Sequence, residues 1–354
     1  MKRITFNFCL VLLMAVLASC RNGGKSLITP VSSGRPYEIL VVAEDDYWLA
    51  GDSALFKVLD TDVPGLPQAE RSFRISRVLP AHFDRVMRIF RNVIIVDAQD
   101  VYTQTKFKYV RDAYASPQMI MTIQTPNQND FSEYVTKNSQ VIIDFFTRAE
   151  MNRQINLLRD KHSPMVSAKV GSQFDCDIWM PTDMNSYKVG KDFLWASNNM
   201  NDMNFVMYTF PYRDKDTFTK DYFIHKRDSV MKINLPGSLE GMYMETADSM
   251  LVDVRNIAVK GDYAFEARGL WEMHNDAMGG PFVSHMRVDR ANARVIVVEA
   301  FVYQPQKLKR DLMRKLNAAL YTLKMPTENA VDEIPVDQSI AEEKKQQESE
   351  QNNK

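Results

Sequence analysis

The sequence predicts an α+β fold in which antiparallel sheets pack against helices. Apolar and polar residues alternate over residues 263–272, as expected for a half-buried strand. Residues 308–323 instead place leucine and alanine on one helical stripe, which needs an apolar partner. The chain of 354 residues is 45% hydrophobic and 25% charged, which is typical of a folded globular protein. The formal net charge of −1 gives no general attraction to nucleic acid.

The first twenty residues are typical of a bacterial export signal. Lys2 and Arg3 precede an apolar stretch over residues 8–18, which is too short to cross a bilayer because a spanning helix needs about twenty residues. The stretch ends in Leu17-Ala18-Ser19-Cys20, which resembles the lipobox where bacterial lipoproteins are acylated and cleaved. We expect residues 1–19 to be a signal peptide and Cys20 to carry the lipid. The alternative is an ordinary signal in which the cysteine stands by chance.

Acylation of Cys20 would anchor the protein to a membrane without a spanning segment. Each buried methylene contributes about 0.8 kcal/mol, so several acyl chains hold a protein on a bilayer far more firmly than one. Residues 20–36 are rich in Gly, Ser and Pro and are expected to form a flexible tether. No acidic pair follows Cys20, which favours the periplasmic side of the outer membrane over export to the cell surface.

Cys176 is the one thiol that remains after cleavage and acylation. A single cysteine forms no internal disulfide, so core burial is expected to supply the stability. The sequence shows no neighbouring base that would activate this thiol, and we expect it to be buried and inert.

The first folded half is predicted to cover residues 37–163. The predicted strands are 38–42, 73–78, 92–96 and 118–123, and a short helix covers 53–59. A second helix follows Pro80. A third, long helix begins near Asp130, with Glu133 placed as in a capping box, and ends near His162.

The second half is predicted to cover residues 164–325 and to hold the clearest β-structure. Strands over 263–272, 282–288 and 294–303 form an antiparallel meander, preceded by a strand over 205–210 and a helix over 217–233. Pro305 suits the first turn of a last helix, whose apolar stripe is expected to cover the meander.

Both halves run from strands into a closing helix, which leaves open a duplicated α+β unit, although no residue-level repeat accompanies it. Residues 326–354 are rich in Glu, Gln, Lys and Asn and are expected to form a disordered tail.

Several short motifs identify a resemblance to a known family. They are Ser33-Gly34-Arg35-Pro36-Tyr37-Glu38-Ile39, Leu66-Pro67-Gln68, Arg91-Asn92-Val93-Ile94, Met278-Gly279-Gly280-Pro281-Phe282 and Lys309-Arg310. Together with the lipobox, the sequence resembles a family of uncharacterised Bacteroidetes lipoproteins that share a domain of unknown function, DUF4837. The resemblance covers nearly all of the mature chain and implies an envelope lipoprotein, without an activity, a substrate or catalytic residues.

The most unusual local feature is a cluster of arginines between residues 71 and 91. Arg74, Arg85, Arg88 and Arg91 are candidates for an anion site, because guanidinium groups match phosphates and carboxylates in two-pronged hydrogen bonds. The alternative is a solvated face balanced by acidic residues elsewhere.

A second candidate region lies at the loop of the meander. His274, Asp276 and His285 would serve an enzyme, such as a hydrolase of envelope material, if their side chains converge. The alternative is a hairpin loop in which Gly279 and Gly280 serve a turn.

No motif indicates a metal or an organic cofactor, since the five histidines are scattered and Walker, GxGxxG, HExxH and CxxC motifs are absent from the sequence. We therefore expect a lipid-anchored binding protein for an envelope protein or an anionic glycan or lipid, with an enzyme as the alternative.

Overall fold

The computed structural model describes residues 29–48, 53–328 and 333–336. The predicted signal peptide, Cys20 and much of the predicted tether and tail lie outside the described residues. The α+β class is confirmed, with two sheets and packed helices. Of the helices within the described ranges, none is long and apolar enough to cross a membrane.

The first half forms a five-stranded sheet in the order β2-β1-β3-β5-β4. Its strands are β1 Glu38–Val42, β2 Arg74–Val78, β3 Asn92–Ala98, β4 Lys106–Arg111 and β5 Met119–Thr125. Its helices are α1 Ala54–Leu59, α2 Arg85–Arg88, α3 Gln128–Lys137 and α4 Ser139–Asp160. Unlike the expected antiparallel arrangement, all neighbouring strands are parallel except β4 and β5. The helical crossovers α1 and α2 make this possible, because parallel neighbours need a long connection.

The predicted long helix is two helices that break at Asn138. The Asn138 side chain donates to the Tyr134 carbonyl (2.9 Å), so the polar side chain takes over a backbone partner at the break. The first of the two helices is capped by Asn127, whose Oδ1 accepts from the Asp130 N–H (2.9 Å), and not by a box built on Glu133. The helix predicted after Pro80 shortens to the single turn of α2.

The second half forms an eight-stranded antiparallel sheet in the order β10-β11-β12-β13-β8-β7-β6, with β9 beside β11. The strands are β6 Met184–Gly190, β7 Phe193–Asn198, β8 Met203–Pro211, β9 Met244–Thr246, β10 Asp253–Val259, β11 Asp262–Met273, β12 Gly279–Asp289 and β13 Arg294–Val302. The helices are α5 Pro164–Phe174, α6 Lys220–Asn234 and α7 Arg310–Leu320. The predicted meander corresponds to β11, β12 and β13.

Helices cover both faces of this second sheet. Val297 and Phe301 of β13 share a core with α6 on one face, whereas Val298 and Ala300 share a core with Leu316 of α7 on the other. The predicted packing of the last helix on the meander is confirmed, although that helix begins at Arg310 and leaves Pro305 in the preceding turn.

A fully buried ion pair fastens α6 to the sheet. Arg227 and Glu299 are both 0% exposed, and the guanidinium donates from Nε (3.0 Å to Oε2) and Nη2 (2.8 Å to Oε1) to the Glu299 carboxylate. Arg227 Nη1 also donates to Thr246 Oγ1 (3.0 Å), and the Phe282 ring lies 4.2 Å below the guanidinium. The pair is therefore satisfied on several sides inside an apolar core.

Gly280 marks a close approach between strands. A Cβ atom at this position would lie 2.0 Å from the Val302 carbonyl oxygen and 3.1 Å from Trp271 Nε1. The same carbonyl accepts a hydrogen bond from Trp271 Nε1 (3.3 Å). Gly280 thus leaves room for this bond, which is why the sequence has glycine inside a strand.

Residues 62–71 of the first half reach across to the second half. Leu66 is buried in the core between α7 and the second sheet. Glu70 is buried and accepts from the backbone N–H groups of Lys309 (2.7 Å) and Arg310 (3.0 Å), the first residues of α7. The carboxylate of one half therefore caps a helix of the other, where the helix dipole favours negative charge.

Residues 333–336, which belong to the predicted disordered tail, pack against the first half instead. Ile334 exchanges two backbone-to-side-chain hydrogen bonds with Asn152 of α4, each 2.7 Å long. Val336 is buried in the core of the first half. The remaining residues of the predicted tail, apart from 326–328, lie outside the described residues.

Candidate functional site

The cleft between the two halves is the candidate functional site. It has a volume of about 740 Å³, within the range of about 300–1,000 Å³ found for small-molecule sites. One wall is the exposed face of α4, the opposite wall is β10, and β11 and the polar side of α7 form the floor. Tyr37, directly before β1, also lines the floor.

Charged side chains of the cleft lining carry a positive excess. The cationic residues are Lys57, Arg148, Arg255, Arg268 and Arg314, and the acidic residues are Asp62, Asp144 and Glu266. Five cations against three carboxylates give the cleft a formal excess of two positive charges, which favours an anionic ligand.

Arg314 is the central residue of the floor. Its side chain is only 9% exposed, yet among the described residues it makes neither a hydrogen bond nor an ion pair with a carboxylate. The guanidinium lies flat on the Tyr37 ring, 3.7 Å from the ring centroid, with Phe73 at 5.8 Å. Burial lowers the pKa of Arg314 to about 10, because the charged form has lost its water. It remains a cation at neutral pH.

Asn317 and Tyr321 extend the polar side of α7 beyond Arg314. They follow at positions three and seven residues later, so all three side chains fall on the same helical face. Asn317 is buried, and its Oδ1 has no hydrogen-bond partner among the described residues. Burial raises the pKa of Tyr321, so its phenol stays neutral and keeps its proton. The apolar side of the same helix faces the second sheet, which leaves this side for the cleft.

Glu266 and Arg268 of β11 form a closed ion pair next to Arg314. Arg268 donates in two prongs to Glu266, from Nε to Oε1 (2.8 Å) and from Nη2 to Oε2 (2.9 Å). Burial alone would raise the pKa of Glu266, but Arg268, together with the hydrogen bond from His285, reverses this effect and holds the pKa far below its usual range. The pair is already neutral as a unit, so it adds little net attraction for an anion.

His285 is a structural neighbour of this pair. It is buried, its Nε2 lies 3.3 Å from Glu266 Oε2, and its ring meets Tyr321 edge-on at 4.8 Å. Burial lowers the pKa of His285, which leaves the imidazole neutral at pH 7. Its place beside the cleft was not anticipated from the sequence.

The structure does not bring His274 and Asp276 to His285. His274 lies past the far end of β11, where its Nδ1 is 2.9 Å from Glu245 Oε1 and its ring stacks on Tyr243 at 4.6 Å. Asp276 is exposed and accepts from the Ala277 N–H. His285 instead pairs with Glu266, in the middle of β11. The convergence that the enzyme alternative requires is therefore absent from the described residues.

The four arginines proposed as an anion site lie in the first half and do not share one pocket. Arg91 pairs with the buried carboxylate of Glu150 (3.0 Å). Arg88 donates to the Phe83 carbonyl (3.3 Å) and lies 5.6 Å from the Tyr114 ring. Arg74 and Arg85 are exposed to solvent. None of the four lines the cleft.

Other reactive groups of the described chain are occupied or buried. Burial raises the pKa of the Cys176 thiol to about 12, as expected for an inert cysteine. In the parts of the chain that the structure describes, no group of three or more His, Cys, Asp or Glu side chains is arranged to hold a metal ion.

A second cavity of about 710 Å³ lies beyond β10 and provides a contrast. Its buried guanidinium, Arg287, is held by the Glu328 carboxylate and by the Val259 carbonyl. The cation there is neutralised by the protein itself, whereas Arg314 is not.

Sequence reasoning missed Arg314 because the last helix was recognised by its apolar stripe alone. A signal was present: Arg314, Asn317 and Tyr321 are polar residues at helical spacing on the side opposite to the leucines. The absence of a carboxylate partner, however, depends on Tyr37 and β11 and follows only from the fold.

The fold and the cleft thus define a two-sheet α+β protein with a polar, cationic site between its halves. Comparison with family models matches residues 163–322 to the domain of unknown function DUF4837. The resemblance predicted from the motifs is confirmed for this half. Residues 32–159 match a second domain of unknown function, DUF8532, so the DUF4837 match ends at the border between the halves.

Solved structures show only weak similarity. The Ran-binding protein Mog1p of Saccharomyces cerevisiae aligns over 43% of this chain and 90% of its own, with 8% identity and a TM-score of 0.30. A point mutant of protein Mog1 gives 44% and 91%, 9% identity and 0.29. A crystal structure from Bacteroides thetaiotaomicron gives 43% of this chain and 46% of its own, 13% identity and 0.20. No curated protein sequence matches the chain.

Replacing Arg314 by Met is expected to leave the unliganded protein as stable as wild type, or more stable by about 0.5–2 kcal/mol. Methionine keeps the apolar contact with Tyr37 and removes a buried charge that lacks a counter-ion. Urea unfolding in a buffer of large, weakly binding ions measures the change. A loss of more than 2 kcal/mol would show that the guanidinium supports the fold and not a ligand.

Proposed function

We propose that the protein is a lipid-anchored envelope protein that binds a small anionic ligand in the cleft between its halves. The single observation that carries the proposal is the buried Arg314 guanidinium, which lines the cleft without a carboxylate partner. A buried cation without a partner is costly, so its presence is best explained by an anion that completes it.

The other buried arginines of the described chain support this argument by contrast. Arg153 is bound by Glu150, Arg227 by Glu299 and Arg287 by Glu328. This chain therefore neutralises buried guanidinium groups with its own carboxylates where their role is structural. Arg314 departs from that pattern at the place where the largest cleft opens.

The proposed location rests on the first twenty residues. The lipobox-like Leu17-Ala18-Ser19-Cys20 follows a short apolar stretch, and the residues after Cys20 lack an acidic pair. These features support attachment to the outer membrane through acyl chains on Cys20, with the folded part in the periplasm.

Replacing Cys20 by Ala is expected to abolish lipid incorporation and to release the protein from membranes. Without the thiol no acyl chain can be attached, and the body offers no spanning helix among its described residues. Labelled palmitate incorporation and membrane flotation, compared in wild type and variant, measure both effects. Equal labelling of the two proteins would contradict the anchor and leave the cleft proposal standing.

Binding is expected to fail in Arg314→Met. Hydrogen bonds to charged groups contribute about 1.5–3 kcal/mol, so affinity should fall by about 10- to 150-fold. Isothermal titration with sodium acetate, phosphate, sulfate and glucuronate at constant ionic strength tests wild type and variant. Arg85→Met is the matched control, because it removes one exposed positive charge outside the cleft. If every anion binds wild type and Arg314→Met equally, the proposed function is wrong.

A further inference from the structure

We infer that the ligand of this cleft is a polyhydroxylated monocarboxylate, of which a hexuronate is the simplest example. The inference rests on the proposed function and names the ligand class of the same site. Three features support it: the number of uncommitted charges, the chemistry of the walls and the acceptor beside Arg314.

The cleft offers one uncommitted positive charge. Arg268 is paired with Glu266, and Arg255 is paired with Asp253 (2.9 Å). Arg148 donates from Nη1 to the Pro335 carbonyl (3.2 Å), and Lys57 also has a partner. Only the Arg314 cation lacks a partner among the described residues. One free guanidinium fits a group with a single negative charge, whereas a phosphate dianion would leave a net charge in a poorly solvated place.

The geometry around Arg314 also fits a carboxylate. Its flat face is covered by the Tyr37 ring at 3.7 Å, so a ligand meets the guanidinium at its edge. A carboxylate is planar and accepts two parallel N–H donors from such an edge.

The acceptor beside Arg314 requires a donor from the ligand. Asn317 Oδ1 is buried without a partner, three residues from Arg314 on the same face of α7. A third anionic oxygen at this point would face another acceptor and be repelled. A hydroxyl group next to the carboxylate would instead donate to Asn317 Oδ1.

The walls are lined by neutral polar side chains rather than by large apolar ones. On the wall formed by α3 and α4 these are Thr136, Ser139, Gln140 and Thr147, and Asn256 faces them from β10. Ser139 and Thr147 make no hydrogen bond among the described residues, so their hydroxyls are available to a ligand. Asp62 and Asp144 at the sides can accept from further ligand hydroxyls, but would repel a second carboxylate. This lining favours a body with several hydroxyl groups and one negative charge.

The test is isothermal titration of the full lipidated protein in detergent micelles with four probes: D-glucuronate, D-glucose, acetate and inorganic phosphate. We expect glucuronate to bind at least tenfold more tightly than each of the other three. We expect Thr147→Val to weaken glucuronate by about 2- to 12-fold, the effect of one hydrogen bond, and to leave acetate unchanged. Arg314→Met should weaken glucuronate and acetate together.

The outcomes separate this inference from the proposed function. If phosphate binds more tightly than glucuronate and depends on Arg314, the ligand class is wrong and anion binding in the cleft stands. The same conclusion holds if acetate equals glucuronate, because the hydroxyl groups then contribute nothing. If none of the anions depends on Arg314, both proposals fail.

Free sugar acids and acidic glycans share the same terminal chemistry. A linear trimer of galacturonate distinguishes these sources, since tighter binding than monomeric galacturonate assigns a glycan and equal or weaker binding assigns a free sugar acid. Either result supports a polyhydroxylated carboxylate, and failure of both the monomer and the trimer to bind overturns it.

Discussion

Replacing Arg227 by Met is expected to lower the free energy of unfolding by about 3–5 kcal/mol. The substitution leaves the Glu299 carboxylate inside the core between α6 and the second sheet without its guanidinium partner. An unpaired buried charge is far more costly than an apolar side chain of the same size. Urea unfolding followed by far-UV circular dichroism measures the loss.

The control is the double variant Arg227→Met with Glu299→Leu. It removes both charges and leaves an apolar contact, so we expect it to recover most of the lost stability. A double variant that is less stable than Arg227→Met would contradict an electrostatic origin of the effect. It would instead indicate that the side-chain shapes, including the Phe282 contact at 4.2 Å, hold α6 in place.

The loss in Arg227→Met should also depend on pH. Burial raises the pKa of Glu299 even in the wild-type protein, with Arg227 opposing the shift, so removing Arg227 raises it further. A carboxyl group whose pKa is higher in the folded than in the unfolded state loses stability as the pH rises above its unfolded value of about 4.3. The variant should therefore lose more stability relative to wild type at pH 8 than at pH 5. An equal loss at both pH values would mean that Glu299 does not titrate in this range.

Replacing Gly280 by Ala is expected to cost about 1–3 kcal/mol or more and to disturb the environment of Trp271. The added Cβ would lie 2.0 Å from the Val302 carbonyl oxygen, a backbone atom that can move only with β13. The same displacement breaks the hydrogen bond from Trp271 Nε1 to this carbonyl. Thermal unfolding measures the cost, and near-UV circular dichroism reports the change around the indole.

Gly171→Ala in α5 is the matched control for Gly280→Ala. Its nearest non-neighbouring atom is 3.7 Å from the added Cβ, which is an ordinary contact. Because alanine favours helix over glycine by roughly 0.5–1 kcal/mol, this variant should be neutral or slightly more stable. If Gly280→Ala behaves in the same way, the close approach of β12 and β13 is wrong.

Much of the second half could be predicted from the sequence because its pattern is local. The alternation over β11 shows which side chains face the core, and the stripe of α7 shows which side packs on the sheet. The first sheet was harder to predict. Its strands β1, β3 and β5 are buried along most of their length and lack alternation, so the sequence does not distinguish parallel from antiparallel neighbours. The mostly exposed edge strand β4 and the helix α5 were missed for want of a clear period.

The site could be predicted only in its general chemistry. An arginine-based anion site was expected, but at Arg74, Arg85, Arg88 and Arg91, because these residues cluster in sequence. Arg91 turned out to be paired with Glu150, across the first half. Whether a guanidinium is free depends on carboxylates that the fold brings near it, and for Arg314 that includes residues of both halves. Sequence spacing does not contain this information.

Glu70 has a consequence for the order in which the polypeptide matures. The first half leaves the ribosome long before Lys309 and Arg310 are synthesised, so its carboxylate waits for the helix start that it later completes. Tyr37, the stacking partner of Arg314, waits in the same way. The last helix therefore receives both its beginning and its key cation's support from a template already made. A gene fragment that encodes the DUF4837-matching region alone would lack that template, and its product should aggregate or remain loosely folded.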